Sequence, residues 1–228
     1  MAKFAIFTKL MKAVFPQKNN KKQRIHWIID QSKCMSMPEV EILRKTSQRA
    51  KSEGLKDKRF SLIRTWLLIQ LGLQAGLRVG EMASLKHGDL LIDESRSSII
   101  VLGKGNKRRA VWIGSDLKKA VNAYLTYKHR FGFENGSKSF LLNNPSGNNI
   151  SRRALQKAFK ALLLKAGLPN YYYVHCLRHT YATFLLKASN YNYRFVQQQL
   201  GHSSIRTTQV YASVLESDGR EAIEKLYK

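Results

Sequence analysis

Six residues in the C-terminal three quarters of the chain could act together on a phosphodiester, and each lies in a distinctive local string. They are Arg78 in AGLRVGE, Lys104 in VLGKGNKRRAVWI, His175 and Arg178 in HCLRHTYAT, and His202 and Tyr211 in LGHSSIRTTQVY. Two guanidinium groups, an ammonium group and two imidazoles can hold a phosphate and stabilise the extra charge of a pentacoordinate transition state. A tyrosine hydroxyl is a suitable attacking group, so the set predicts phosphoryl transfer.

The composition favours a polyanionic partner. The 228 residues include 40 Lys and Arg against 15 Asp and Glu, which gives a formal net charge of +25 at pH 7. Hydrophobic residues make up 43% of the chain, which excludes a disordered basic tail. No apolar stretch approaches the length of a membrane span, since the longest, residues 66–77, is interrupted by Gln70 and Gln74. Nucleic acid is therefore favoured over an acidic membrane surface.

The N-terminus and the cysteines indicate a cytoplasmic protein. Lys9 and Lys12 interrupt the apolar start of the chain, and no small-residue cleavage site follows. The two cysteines, Cys34 and Cys176, are too few for a disulfide framework and suit a reducing compartment without being bridged.

The periodicity predicts a mainly α fold with a small antiparallel β-sheet. Ser36 is predicted to be the N-cap, with Pro38 in the first turn and Glu39 at the capping-box position, of a helix that ends near residue 51. Further helices are predicted at residues 59–76, 116–131, 151–166, 174–188, 193–200 and 219–226, and strands at 89–93, 97–102 and 107–113. Residues 135–149 read as a loop with a short strand-like insert at 140–142.

For several candidate residues, the alternative to a functional role is an ordinary solvent-exposed side chain. Lys104 lies at a glycine-rich hairpin tip, where a solvated turn lysine is the simpler interpretation of an isolated GKG. The basic side of helix 151–166 could follow a DNA groove or only face solvent. The DNA-binding candidates on this helix and at the hairpin are Arg152, Arg153, Gln156, Lys157, Lys107 and Arg108.

The histidines of HCLRHTYAT have two readings. His175 and Arg178 are three residues apart and share one side of a helix, whereas we expect His179 to point elsewhere. A zinc site built from these histidines, His202 and Cys176 is disfavoured because no Cys-x-x-Cys pair is present.

Together the strings resemble those of the tyrosine recombinases, the family of phage integrases and Xer-type site-specific DNA recombinases. Residues 76–81 match its G-L-R-x-[GS]-E string, residues 175–179 its H-x-L-R-H string and residues 200–202 its L-G-H string. Lys104 matches the hairpin lysine, and Tyr211 matches the nucleophile nine residues after His202. The resemblance implies the tyrosine recombinase catalytic domain, a DNA breaking-rejoining enzyme fold, over residues 36–228, preceded by a basic arm and linker at 1–35.

The resemblance also implies a mechanism without metal, nucleotide or other cofactor. Tyr211 would attack a DNA phosphate, form a 3′-phosphotyrosyl bond and free a 5′-hydroxyl, and partner DNA would reverse the step. Arg78 and Arg178 would hold the non-bridging oxygens, His175 would be the base and Lys104 the acid. His202 would donate a hydrogen bond to the phosphate. Glu81, three residues from Arg78, would orient its neighbours rather than react.

The implied partner is double-stranded DNA, with four subunits on two synapsed duplexes, a monomer or dimer without DNA, and accessory DNA-bending proteins in a nucleoid setting. The pattern departs from the family at the N-terminus, where most members carry a helical DNA-clamping domain and this chain has only residues 1–35. We expect the arm to contact phosphates instead. Two other classes stay open: a DNA-binding accessory factor that never cleaves, and a type IB topoisomerase-like enzyme that acts on one duplex.

Overall fold

The computed structural model of the chain describes residues 33–93, 97–103, 108–202 and Thr208. The helices in this part of the chain are α1 (Met37–Lys56), α2 (Phe60–Ala75), α3 (Val79–Ser84), α4 (Ser115–Arg130), α5 (Arg152–Ala166), α6 (Val174–Ala188) and α7 (Tyr193–Leu200). The strands are β1 (Leu90–Leu91), β2 (Ser98–Leu102) and β3 (Arg108–Trp112). The prediction of a mainly α fold with a small antiparallel sheet is therefore confirmed. None of the helices described is both long and apolar enough to cross a bilayer.

Helix α2 is the centre of the core. It is apolar on nearly every side, and it packs against α1, α4, α5 and α6. Gly72 allows α6 to approach closely, because a Cβ atom at this position would lie only 2.5 Å from Cδ1 of Leu177. The helix ends at Gly76, whose φ of 59° is left-handed and favours glycine. The crossing of α2 and α6 therefore places Arg78, just after α2, near the first turns of α6.

Helix α1 begins as the sequence predicts. The backbone N–H of Ser36 donates to Glu39 Oε2 at 2.8 Å, and the Ser36 hydroxyl donates to the same oxygen at 2.7 Å. The helix continues to Lys56, beyond the predicted end near residue 51. Buried Gly54 lies in this extra length and packs against the start of α2, so tertiary contact extends the helix.

The sheet has the order β1-β2-β3 with antiparallel pairs. Ile99 of β2 pairs with Val111 of β3, and both side chains are fully buried against the helices. The strand-like insert at residues 140–142 is an isolated bridge between Lys86 and Phe140 rather than a strand. The helix predicted at 219–226 and most of the arm at 1–35 lie outside the described residues, so the proposed domain boundaries stay predictions.

Two short elements were not predicted from the sequence. They are α3, with six residues, and the 3-10 turn His87–Asp89. Each is too short to show an apolar period in the sequence, and each depends on contacts made in the folded protein. Helix α3 follows Arg78 directly and carries Glu81, which makes it the element on which the candidate site is built.

Candidate functional site

A cleft of about 1020 Å³ lies between α3, the strands β2 and β3, the start of α6 and the turn after α7. Arg78, His175 and His202 all line this cleft. Three of the six residues expected to act on a phosphate therefore meet in one place, although they are up to 124 residues apart in the chain. Arg108, Arg109 and Arg152 line it as well, so the cleft is strongly cationic.

Arg78 is held by Glu81 at the start of α3. The backbone N–H of Arg78 donates to Glu81 Oε2 at 2.8 Å, and its Nη1 donates to Glu81 Oε1 at 2.9 Å. The side chain of Arg78 is 39% exposed, so it remains at the cleft surface while its conformation is restrained. This geometry suits the orienting role expected of Glu81.

Glu81 has a second partner that sequence reasoning missed. Arg109 of β3 makes a bidentate ion pair with it, Nη1 to Oε1 at 2.8 Å and Nη2 to Oε2 at 3.1 Å. Burial alone would raise the pKa of Glu81, but the hydrogen bonds and charge of Arg109, with help from Arg78 and Arg178, hold that pKa below its usual value. The carboxylate is therefore ionised at neutral pH.

A signal for Arg109 exists in the strand pattern. Side chains alternate along a strand, so Arg109 must share a face with Val111, which is fully buried. An arginine on a buried face needs hydrogen-bond acceptors, and a carboxylate also balances its charge. The pattern does not say which carboxylate, because Glu81 lies 28 residues away.

Arg178 lies beneath the cleft rather than in its lining. The residue is 1% exposed, and its Nη1 and Nη2 donate to the carbonyl oxygens of Gly76 at 2.7 Å and Leu200 at 2.6 Å. Its Nη1 also lies 4.0 Å from Glu81 Oε2. Arg178 thus joins the ends of α2 and α7 below Arg78, and its contact with a phosphate oxygen stays a prediction.

His175, in the first turn of α6, faces the cleft as a neutral base. Burial, followed by the charges of Arg178 and Arg78, lowers its pKa to about 4. The expectation that His179 points elsewhere was wrong, because the two rings are 4.6 Å apart in an edge-to-face arrangement. Residues four apart on a helix are neighbours, and this spacing brings the imidazoles together.

His202 follows the left-handed Gly201 that ends α7. Its Nδ1 lies 3.0 Å from the hydroxyl of Thr208, which is fully buried and which the sequence did not single out. Burial, and then the charges of Arg178, Arg78 and Arg109, lower the pKa of His202 to about 3. The imidazole is therefore neutral at physiological pH.

The remaining predicted residues fall into three groups. Lys104, Lys107 and Tyr211 lie outside the described residues. Arg108 and Arg152 line the cleft, whereas Arg153, Gln156 and Lys157 are exposed on α5, with Lys157 beside a separate groove next to α1 and α2.

Arg152 is positioned by its contact with Gly80, near the start of α3. A Cβ atom on Gly80 would lie 3.0 Å from Arg152 Nε, so this glycine lets Arg152 lie over the start of α3.

In the described part of the chain, no three His, Cys, Asp or Glu side chains are grouped to hold a metal ion.

The sequence matches known proteins over most of its length. The phage integrase family matches residues 33–217. A protein named tyrosine recombinase XerC from Haemophilus ducreyi is 41% identical over 150 residues, which are 65% of this chain and 47% of that protein. The chain spans about half the length of the curated relatives it matches.

Solved structures show the same fold. The XerH site-specific recombinase bound to palindromic difH substrate aligns with a TM-score of 0.67 and 25% identity, over 83% of this chain and 52% of that chain. XerA recombinase aligns with a TM-score of 0.66 and 28% identity, over 83% of this chain and 64% of that chain. With the fold of a tyrosine recombinase catalytic domain and a family match over residues 33–217, the chain belongs to the phage integrase family.

Proposed function

We propose that this protein is a tyrosine-type site-specific DNA recombinase that cuts and rejoins DNA strands through a 3′-phosphotyrosyl intermediate. The observation that carries the proposal is the meeting of Arg78, His175 and His202 in one cationic cleft above Arg178. Family membership and relatives named tyrosine recombinase support it.

The cleft binds the phosphate to be cut. Arg78 is oriented by Glu81 and offers a planar, permanently charged fork to the non-bridging oxygens. Arg178 adds a second positive charge from below, close to where Gly76 and Leu200 meet. Arg108 and Arg152 at the cleft wall bind the phosphates on either side, which sets the path of the duplex.

The reaction exchanges one phosphodiester for another. The hydroxyl oxygen of Tyr211 attacks phosphorus, its proton passes to His175, and the bond from phosphorus to the 5′-oxygen breaks. Lys104 gives a proton to that oxygen, which leaves as a 5′-hydroxyl. The 5′-hydroxyl of a partner strand then attacks the phosphotyrosyl bond and restores Tyr211. Since one phosphate ester bond is formed for each that breaks, the exchange needs no external energy source.

The neutral histidines suit two different tasks. His175, with its pKa lowered to about 4, is unprotonated at neutral pH and can accept the tyrosine proton. His202 donates Nε2–H to a phosphate oxygen if its Nδ1 accepts a hydrogen bond from the hydroxyl of Thr208. The contact of 3.0 Å between Nδ1 and the Thr208 hydroxyl fits this tautomer when the hydroxyl donates.

Strand exchange between two duplexes determines the number of subunits in the working complex. Two duplexes contain four strands to be cut, and each cut uses one Tyr211, so the working complex on double-stranded DNA contains four subunits. The protein without DNA is a monomer or dimer, and accessory DNA-bending proteins bring the sites together in the nucleoid. Mass photometry of the protein alone and with a duplex that carries its target site checks the subunit number.

A nicked-duplex trap tests the function. A pool of nicked duplexes with randomised sequence is incubated with the protein, and adducts that resist SDS are recovered and sequenced. The nick lets the short strand with the 5′-hydroxyl leave, so the covalent complex accumulates. We expect an adduct with the unaltered protein and with Tyr171→Phe, a matched change at an exposed tyrosine, and none with Tyr211→Phe.

The other outcomes identify the alternative classes. DNA that is bound without any adduct indicates a non-cleaving accessory factor. Adducts accompanied by relaxation of a supercoiled plasmid, with no exchange between two copies of the recovered site, indicate a topoisomerase-like enzyme. Exchange between the two copies identifies the recombinase.

A further inference from the structure

Arg109 of β3 contacts two parts of the candidate site at once. Its guanidinium group holds both oxygens of Glu81, and its Nε donates to the carbonyl oxygen of Gln199 at 3.3 Å. We propose that Arg109 is a positioning residue for strand cleavage, a role that rests on the proposed function: it holds Glu81 and the end of α7, and so sets where Arg78 and His202 stand in the cleft.

The first contact divides one carboxylate among three guanidinium groups. Glu81 is 7% exposed and has Arg78, Arg109 and Arg178 around it. A buried carboxylate that has too few hydrogen-bond donors attracts a neighbouring cation, because an unpaired buried charge is costly. Arg109 satisfies both oxygens from the strand side. Arg78 therefore needs only one side-chain bond to Glu81 and stays at the cleft surface.

The second contact fixes the turn that carries His202. Besides the bond from Arg109, the backbone N–H of Trp112 donates to Gln199 Oε1 at 3.1 Å, so β3 is attached to the end of α7 at two points. The chain then wraps closely around the arginine, since a Cβ atom on Gly201 would lie 2.5 Å from Arg109 Cδ. The position of His202, the next residue, therefore depends on Arg109.

These attachments make β3 a link across the site. The strand begins at Arg108, four residues after Lys104 in the chain. Through Arg109 the same strand holds Glu81 next to Arg78 and the turn next to His202. A purely structural ion pair would stabilise the fold without affecting the chemistry in the cleft, so the test needs readouts that stability alone does not change.

The first readout needs no DNA. Histidine titration by NMR is measured for the unaltered protein, Arg109→Met and Arg109→Lys, with His87 as the reference ring beside Lys128. We expect Arg109→Met to raise the pKa of His202, because a nearby positive charge is lost and the turn that carries the ring is released. Arg109→Lys keeps the charge but not the planar fork that holds the turn, so it gives a smaller rise, and His87 does not change. An unchanged His202 in folded Arg109→Met overturns the proposal, and the lysine variant gives the same decision if the methionine variant does not fold.

The second readout is single-turnover cleavage of the duplex recovered in the trap. We expect Arg109→Lys to slow cleavage about 10- to 100-fold, the usual effect of losing a group that orients a functional side chain, while the Kd for DNA changes less than about 3-fold. The matched control is Arg130→Lys, an exposed arginine at the end of α4, which should cleave at the normal rate.

A double variant shows whether Arg109 acts through Glu81. Since Arg109 also holds the end of α7, we expect Glu81→Gln with Arg109→Met to cleave more slowly than Glu81→Gln alone, but by less than the two single losses combined. Normal cleavage by Arg109→Lys, or additive losses in the double variant, overturns the inference while leaving the proposed function intact. If the unaltered protein gives no adduct, the proposed function fails, and the titration alone decides whether Arg109 controls the state of His202.

Discussion

At the scale of single residues, the cleft separates permanent charge from proton transfer. Arg78 and Arg178 keep their charge at any physiological pH, whereas burial and these same arginines lower the pKa of His175 to about 4 and that of His202 to about 3. The arginines thus bind the phosphate and also keep the imidazoles neutral. A neutral His175 can accept a proton directly. A neutral His202 can donate a hydrogen bond to the phosphate only from the ring nitrogen that carries its proton, so its role depends on the tautomer.

The contact between His202 and Thr208 is testable by removing one hydroxyl. Thr208→Val keeps the size of this buried side chain but leaves Nδ1 of His202 without its partner at 3.0 Å. We expect single-turnover cleavage of the recovered duplex to slow by about 10-fold, as when an orienting hydrogen bond is lost, with unchanged DNA affinity. Thr126→Val, on the exposed side of α4, is the matched control. A normal rate for Thr208→Val would show that His202 does not depend on this hydroxyl for its orientation.

The sequence identifies reactive residues better than the residues that hold them. Arg78, His175 and His202 lie in strings whose spacing is recognisable, and the structure brings all three to one cleft. Arg109 and Thr208 lie inside two of these strings, but their residue types and spacing do not mark them as important. Their importance comes from contacts made after folding, across 28 residues in one case and by the approach of a turn in the other.

At the scale of elements, the crossing of α2 and α6 positions the site. Arg78 follows the end of α2, and His175 and Arg178 lie near the start of α6. The two helices approach closely at Gly72, where Leu177 fills the space that a side chain would take. A small change at this contact should therefore displace the catalytic candidates relative to one another.

Gly72→Ala tests how tightly α2 and α6 are packed at this contact. Alanine is favoured over glycine in a helix by about 1 kcal/mol, so a neutral site would be stabilised. Here a Cβ atom would lie 2.5 Å from one carbon of Leu177 and 2.8 Å from another, and we expect a net loss of roughly 2 kcal/mol in the free energy of unfolding. Urea unfolding measures it, with Gly136→Ala in an open loop as the control. Stabilisation by Gly72→Ala would mean that α6 can move without cost.

The elements differ in how far the sequence predicts them. The bounds of α6 and α7 were predicted correctly because each has an apolar stripe and a clear end, such as the left-handed Gly201 after α7. Helix α3 was missed because six residues contain no full stripe. It is held instead by the bond from the Arg78 N–H to Glu81 and by packing against α5, neither of which a periodicity shows.

At the scale of the whole molecule, burying neutral histidines makes stability depend on pH. The pKa values of four histidines are lowered, to about 4 for His175 and His179, to about 3 for His202, and by burial and Lys128 for His87. In the unfolded chain these rings bind protons near pH 6.5. Between about pH 6.5 and pH 4 the unfolded state therefore binds more protons, and stability falls as the pH falls.

Unfolding in urea at about pH 7 and about pH 5 measures this dependence. For His175, His179 and His202 we expect a loss of roughly 1 kcal/mol each, which allows for their partial exposure to solvent. His179→Gln should reduce the loss by about that amount, because one such ring is removed. His129→Gln, at an exposed position on α4, is the control and should leave the loss unchanged. Equal stability at the two pH values would mean that the rings are solvated enough to titrate normally.

The distribution of charge over the whole chain decides how DNA is held. The net charge of +25 ensures attraction, but only cations that displace counterions from phosphates contribute to the salt dependence of binding. The predicted arm has four cations between residues 16 and 24, in a segment outside the described residues. If the arm lies on the DNA backbone, its charges should count more than equal charges elsewhere on the surface.

Two variants with the same net charge test this. One replaces Lys18, Lys21, Lys22 and Arg24 by Gln, and the other replaces Lys56, Lys58, Lys119 and Lys138, which are exposed and do not line the cleft. The logarithm of affinity against that of salt concentration should lose about 0.9 in slope for each phosphate contact removed. We expect the arm variant to lose slope and affinity without a change in sequence preference, and the control to keep its slope. Equal slopes for both would mean that the arm acts only through net charge.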